Sequence, residues 1–316
     1  MRVRAFAKIN RSLRVLGTRA DGYHELRTIF QSIALHDTLT IRAIRGPFQL
    51  TCDDPACPAD EANLIARAAA RMWTAAGRPG TPRGIAIDLR KRIPMQAGLG
   101  GGSSDAAAAL RALARRWRVG DAKVRAAAAA LGADVPYFLE GGAVLGLERG
   151  DLLFPLLDPP RAWVVLVLPH FGVSTKDAFA WLDAAKGAWN VQLSGGPQSG
   201  ARARRPSVRR PAERLAIQDP ERRALQVAEK GTIEEMVNDL EAPVVARHPQ
   251  IGRIISALRR AGASQAAMSG SGSAVFGLFS SRSVAVRAGK GLASGSQRTL
   301  VTTTINRQTY QRLART

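Results

Sequence analysis

Pro94-Met95-Gln96-Ala97-Gly98-Leu99-Gly100-Gly101-Gly102-Ser103-Ser104-Asp105, followed without a break by AAAALRALARRW, decides how the rest of the chain is read. The glycines permit positive φ and close backbone approach, and the helix that follows begins with N–H groups lacking intrahelical partners. An anion, and a phosphate in particular, suits such a loop. Before it, GIAIDLRKRI at 84–93 alternates like a strand and is stopped by Pro94. The loop is therefore expected between a strand and a helix over 103–117. GxxxxGK[ST] is absent, so this is not a Walker A loop, and the match to GxGxxG is loose. Backbone N–H groups would donate to phosphate oxygens, while Ser103 and Ser104 would add hydroxyl donors or cap the helix. Asp105 could arrange the helix start or approach a metal.

Working outward, short β-like runs occupy 1–10 and 28–45, and NLIARAAARMWTAAG at 63–77 reads as a helix ending near glycine. DAKVRAAAAALGADVPYFLEGGAVLGLERGD supplies an alanine-rich helix, an acidic turn and a short strand. Pro159-Pro160 precedes the apolar strand AWVVLVLP, which puts a domain boundary near 158. The division is 1–158 for a nucleotide-binding domain and 159–316 for a second domain contributing to substrate binding, with the return of a terminal segment to the first domain left open. Residues 190–215 are rich in Gly, Pro, Ser and Arg, and read as a loop or disordered insertion, with a phosphate-binding arm as the alternative. Helix-like segments follow near 233–246 and 249–261, and TTTINR could complete a strand.

With 316 residues and a hydrophobic fraction of 46%, the chain can bury a substantial core. No apolar run reaches the roughly 18 residues of a membrane span, and MRVRAFAKIN enters a strand-like pattern at once. A cytoplasmic protein without membrane partners is expected. Cys52 and Cys57 lack the CxxC spacing and a second pair, and the four histidines are scattered, so local spacing names no metal ligands. A net charge of +21 favours anionic ligands, yet with 5% aromatics and no zinc-finger spacing no specific nucleic-acid partner is expected.

Three further segments could carry chemistry. MSGSGSAVFG, with Gly270 and Gly272, is a second loop open to close backbone approach, read either as a tight turn or as part of a ligand pocket. Lys8 and Asn10 lie in AKIN, and Asp134 in LGADVPYF: a lysine can neutralise charge during phosphoryl transfer, and a carboxylate can take the proton of an alcohol. In RADGYHEL the Asp-Gly pair marks a turn, and Tyr23 and His24 could stack on or hydrogen-bond to a heteroaromatic group or pack inward.

AKIN, RADGYHEL, IPMQAGLGGGSSDAAAAL, LGADVPYFLEGG, NDLE and MSGSGSAVFG together resemble the 4-diphosphocytidyl-2-C-methyl-D-erythritol kinase family, in the superfamily of galactokinase, homoserine kinase and mevalonate kinase. The resemblance implies transfer of the γ-phosphoryl group of ATP to the 2-hydroxyl of 4-diphosphocytidyl-2-C-methyl-D-erythritol, giving its 2-phosphate on the non-mevalonate route to isoprenoid precursors. It implies a two-domain α+β fold, with an N-terminal domain resembling ribosomal protein S5 domain 2 and a ferredoxin-like C-terminal domain. By the same resemblance, Asp134 is the base, Lys8 orients it and stabilises charge, Asn10 positions the acceptor, and Tyr23 and His24 contact its cytidine. Pro94, Gly98, Leu99, Gly100, Gly101, Gly102, Ser103 and Ser104 would hold ATP accompanied by Mg²⁺, and Gly270 and Gly272 would frame the site. Asn238 and Asp239 receive no catalytic role. A monomer or weak homodimer is expected. Arg11 stands where a hydrophobic residue is more usual, and 190–215 is longer or more irregular than the common pattern.

Overall fold

One turn organises the first 47 residues. The amide of Gly22, at φ +81°, donates to Arg19 O at 3.1 Å, and the Arg19 amide donates to Tyr23 O at 2.7 Å. RADGY is thereby the tip of an antiparallel hairpin of β1 (Arg2–Thr18) and β2 (His24–Pro47). Both strands run beyond the 1–10 and 28–45 stretches read from the sequence. The ladder is irregular between Phe6 and Lys8 and between Asn10 and Ser12, so breaks flank the segment that carries Lys8 and Asn10. Such bulges re-aim side chains.

The computed structural model describes residues 1–194 and 237–314. The arginine-rich 190–215 segment therefore lies outside the described residues, apart from its first five positions, which end a helix. The helix-like reading over 233–246 likewise falls partly outside them.

The long β2 pairs with β5 (Ala143–Glu148) along its first half and with β4 (Arg83–Arg90) along its second. β3 (Gln49–Cys52) adds in parallel to β4, and β6 (Leu152–Pro155) closes the far edge on β5, giving a six-stranded mixed sheet. Over it lie α1 (Leu64–Ala75), α2 (Gly101–Trp117) and α3 (Asp121–Leu131), with the short α4 (Tyr137–Glu140) following. Asn63 caps α1 by accepting the Ile65 amide at 2.9 Å. The run Ala106–Ala109 is buried against Leu39, Ile85 and Ile87 in one cluster, and its short side chains let α2 lie close to its neighbours.

A second sheet of β7 (Trp163–Pro169), β8 (Gln265–Met268), β9 (Val275–Phe279) and β10 (Gln297–Thr303) is antiparallel throughout, in the order β10-β7-β9-β8. α5 (Thr175–Ser194), α6 (Glu241–Arg247), α7 (Pro249–Arg260) and α8 (Arg282–Leu292) accompany it. Alternation in β7 explains its unbroken apolar run, because both faces are buried. Val165 and Val167 join the cluster of Ile254, Leu258 and Ala285, while Val164, Leu166 and Leu168 join Ala7, Ile9 and Ile33 of the hairpin. The two sheets thus share a core. The last helix, α9 (Arg307–Ala314), sets Tyr310 against Phe6 with ring centroids 5.5 Å apart and donates the Tyr310 hydroxyl to Phe138 O at 2.7 Å.

Two boundaries differ from the sequence reading. The strand expected to reach residue 93 stops at Arg90, because Asp37 Oδ1 accepts the amides of Arg92 and Ile93 at 2.5 and 2.8 Å and diverts them from the ladder. The glycine-loop helix begins at Gly101, two residues early, since Gly100 is its cap and its carbonyl accepts the Ser104 amide at 2.9 Å. Among the described residues, no helix is long and apolar enough to cross a membrane.

A Cβ added at Gly141, where φ is +71°, would stand 2.1 Å from the Tyr310 ring. Gly141→Ala should cost about 3 kcal/mol, combining left-handed strain with overpacking. A lowered urea midpoint at unchanged slope would show it, and a wild-type midpoint would contradict the packing of α9 described above.

Candidate active site

Lys8 and Asn10, two residues apart on β1, both border a cleft of about 1090 Å³. Asn10 Oδ1 accepts from Lys8 Nζ at 2.5 Å, and Asn10 Nδ2 donates to Thr28 Oγ1 at 2.7 Å, so neighbouring strands hold both side chains. Asp134 follows α3 in a turn closed by the Val135 amide on Gly132 O at 3.1 Å. Its Oδ2 lies 3.6 Å from Lys8 Nζ. Burial lowers the pKa of the Lys8 ammonium, and Asp134 opposes that fall.

The glycine loop meets this pair through its backbone. Leu99 O accepts the Lys8 amide at 3.0 Å, and Gly98 O accepts Ser269 Oγ at 2.9 Å, while Ser269 Oγ accepts the Asn10 amide at 3.3 Å. A Cβ at Gly98 would stand 2.0 Å from Ser269 O, so the approach of the two loops requires glycine there. Gly100, at φ +71°, turns the chain into α2. The first amides of that helix, at Gly101, Gly102 and Ser103, lack intrahelical acceptors and border the cleft.

The structure brings together most of the sequence-predicted residues. Pro94, Gly98 to Ser103, Asn10, Lys8, Asp134, Tyr23, His24 and Gly270 line one cleft. Two do not join them. Ser104 is buried, with its hydroxyl committed to Phe6 O at 2.7 Å, so that hydroxyl ties α2 to β1 instead of reaching a phosphate. Gly272 lies outside the cleft lining, where a Cβ would meet Met268 Sδ at 2.7 Å. The MSGSGS segment is both a turn, closed by the Gly272 amide on Ser269 O at 2.9 Å, and through Gly270 and Ser271 part of the cleft wall.

At the hairpin tip, His24 lies flat on Phe179 of α5, centroids 4.5 Å apart and planes at 19°, with Nε2 2.9 Å from Asp183 Oδ1. Tyr23 does not pack inward: it is 57% exposed, with the Arg149 guanidinium 5.3 Å from its ring centroid. Arg149 and Lys176 border the same cleft.

Sequence reasoning missed several of these partners. No sequence motif singles out Phe179 or Asp183, and Asp183 is 159 positions from His24, so only topology joins them. The NDLE segment acquires a positioning role. Asn238 Nδ2 donates to Met268 O at 2.9 Å and Gly270 O at 2.8 Å, and Glu241 Oε2 accepts the Met268 amide at 3.0 Å. Arg11 is accommodated by Gln265, whose Oε1 accepts from its Nε at 3.5 Å and whose Nε2 donates to its carbonyl at 2.9 Å. Asp105 is buried at the wall of the cleft in a chain Asp37–Lys91–Asp105, with Lys91 Nζ 2.5 Å from Asp37 Oδ2 and 2.9 Å from Asp105 Oδ2. Asp105 Oδ1 is buried with no hydrogen-bond partner.

A glycine loop at the start of a helix, beside a lysine–aspartate pair in a two-sheet fold, suits a small-molecule kinase, and comparison with known proteins gives that class. The profile of the GHMP kinases N terminal domain matches residues 63–142, and that of the GHMP kinases C terminal domain matches 223–295. A 4-diphosphocytidyl-2-C-methyl-D-erythritol kinase of Moorella thermoacetica is 38% identical over 304 residues, 95% of this chain and 98% of the relative. One from Solibacter usitatus is 42% identical over 320 residues, 99% and 91% of the two chains. A crystal structure of 4-(cytidine 5'-diphospho)-2C-methyl-D-erythritol kinase superposes with a TM-score of 0.71 at 32% identity, covering 96% of this chain and 99% of that one. The chain belongs to the 4-diphosphocytidyl-2-C-methyl-D-erythritol kinase family, within the GHMP kinases. A mevalonate kinase of L. major, 18% identical with a TM-score of 0.66, shares the fold.

The buried triad makes a testable link between pH and stability. Burial pushes the Asp105 carboxyl up to about 8, Lys91 opposing the rise and Asp37 adding to it. A carboxyl held above its unfolded value of about 4 keeps its proton in the folded chain, so its contribution is complete at acid pH and is lost as pH climbs toward the native value. Asp105→Asn removes that titration. Its melting temperature should fall less steeply than that of the wild type between about pH 5 and about pH 8, and parallel curves would contradict the assignment.

Proposed function

We infer that the chain transfers the γ-phosphoryl group of ATP to the 2-hydroxyl of 4-diphosphocytidyl-2-C-methyl-D-erythritol, producing the 2-phosphate used in isoprenoid precursor synthesis. The observation that carries the mechanism is Asp134 Oδ2 at 3.6 Å from Lys8 Nζ, in the cleft bordered by the glycine loop and the start of α2. The donor is the magnesium complex of ATP, with the cation offsetting phosphate repulsion. Its phosphates lie against the backbone amides of Gly98 to Ser103. Asp134 accepts the proton of the acceptor hydroxyl as that oxygen bonds to the γ-phosphorus and the bond from phosphorus to the bridging oxygen of ATP breaks, ADP leaving, and Lys8 holds the transferring oxygens. Asn10 fixes Lys8 and orients the acceptor, with Gly270 framing the gap between them. Tyr23 and His24 take the cytosine, and Arg149 and Lys176 supply positive charge for its diphosphate. The same reading takes the protein as a monomer or weak homodimer.

The same reading divides the chain near residue 158 into an N-terminal domain like ribosomal protein S5 domain 2 and a ferredoxin-like C-terminal domain. Supporting the second is the strand order β10-β7-β9-β8, which numbered within that sheet is 4-1-3-2, with helices after its first and third strands. The packing of α9 on Phe6 supports a final segment that returns to the first domain.

Asp134→Asn keeps the shape of the site and removes the proton acceptor. In a coupled assay with the cytidine acceptor, and with mevalonate and homoserine as controls, kcat should fall about 10²–10⁴-fold while the KM for ATP stays near wild type. Wild-type turnover in this variant would remove the base assignment, and phosphorylation of a control in preference to the cytidine acceptor would remove the substrate.

A further inference from the structure

We propose that Asp183 is a positioning residue for recognition of the acceptor base, holding the His24 imidazole in one tautomer so that its other nitrogen faces the base as an acceptor. This rests on the reading of Tyr23 and His24 as acceptor contacts. His24 is clamped in two ways. Its ring is stacked on Phe179 at 4.5 Å, which fixes the plane, and Nε2 stands 2.9 and 3.1 Å from the two oxygens of Asp183, which fixes rotation within that plane. His24 lies at the start of β2 and Asp183 on α5, so the contact also ties the hairpin tip to the far wall of the cleft.

The chemistry follows from what a carboxylate can do. It only accepts, so the nitrogen opposite it carries the hydrogen, and in the neutral ring Nδ1 is then a bare acceptor. Cytosine presents an exocyclic amine at the position where uracil presents a carbonyl oxygen. An acceptor nitrogen bonds to the first and repels the second, so the pair discriminates between the two pyrimidines by an unfavourable contact as well as a favourable one. Without Asp183 the ring can carry its hydrogen on either nitrogen, and both the preference and the clamp weaken. Asp183 itself, half exposed at the cleft edge, stands apart from the Lys8–Asp134 pair and need not touch the substrate.

The test is steady-state kinetics of the full chain at saturating MgATP with the cytidine acceptor and its uridine counterpart. Asp183→Ala should raise the KM for the cytidine acceptor about tenfold and lower the cytidine-over-uridine ratio of kcat/KM about tenfold. It should leave kcat and the KM for ATP within about twofold of wild type, and Asp183→Glu should restore most of the ratio. Nitrogen–proton correlation spectra, with His24 assigned through His24→Gln, should place the hydrogen on Nε2 in the wild type and on both nitrogens in the Asp183→Ala chain. An unchanged ratio in Asp183→Ala, beside a raised acceptor KM in His24→Gln, overturns the role of Asp183 alone. An unchanged acceptor KM in His24→Gln overturns the reading on which the proposal rests. Equal losses in kcat and in affinity for both substrates with Asp183→Ala would also overturn it, because they would mark a general structural role.

Discussion

Ser269 Oγ joins three parts of the chain that are far apart in sequence. It donates to Gly98 O in the glycine loop and accepts from the Asn10 amide on β1, while its own residue belongs to the turn between β8 and β9. Two further backbone bonds run parallel to it, Lys8 N–H to Leu99 O at 3.0 Å and Ala274 N–H to Ala97 O at 3.2 Å. The glycine loop is therefore placed relative to Lys8 and Asn10 largely by backbone bonds, with one short side chain between them. Such placement matters for a reaction that consists mostly of positioning, because donors already aimed at the developing charge need no reorganisation when it appears. Asn238 extends the same logic one step outward, since its amide binds two carbonyls of the segment carrying Ser269.

Lys8 shows what this rigidity sustains. A lysine only 4% exposed is costly to keep charged, and burial does lower its pKa. What holds it is a set of compensations placed by separate elements: Asn10 from the same strand, Asp134 from the end of α3, and the Phe30 ring 5.6 Å away. Removing any one leaves a buried cation less satisfied, so the three partners are better regarded as a unit than as independent contacts.

How much of this was legible in the sequence depends on the range of the interaction. The glycine loop between strand and helix could be read because its neighbours in sequence are its neighbours in space, and RADGY could be read as a turn for the same reason. Ser104 misled because a hydroxyl next to a phosphate loop and a hydroxyl holding a carbonyl of β1 leave the same letter in the sequence. Arg90 ended its strand early because Asp37, more than fifty residues away, captured two amides, and nothing in LRKRI signals that. Phe179 and Asp183 are harder still, since a phenylalanine and an aspartate four residues apart on a helix suit any amphipathic surface. Their meaning appears only once the sheets are packed and α5 faces the hairpin tip.

The charge of the chain acquires a definite role once both substrates are anions. A net charge of +21 acts over distance, and at physiological salt its influence fades within about 8 Å, so it can steer ligands inward without holding them together. Bringing a nucleotide triphosphate against a diphosphate ester costs repulsion that grows as water leaves, from about 1 kcal/mol per unit pair at 4 Å in water to about 4 kcal/mol near a protein surface. Local groups must offset it, and in the proposed mechanism these are Lys8 and the first amides of α2, with Arg149 and Lys176 as further basic residues of the same cleft. In the proposed mechanism the carboxylate of Asp134 works against them, as a negative charge where two anions would meet. Its tolerance there depends on Lys8 at 3.6 Å, the ammonium to which the same proposal gives the transferring phosphoryl group. The lysine and the aspartate are therefore one device, and the hydrogen-bonded chain of Asn10, Ser269 and Gly98 keeps that device in register with the loop.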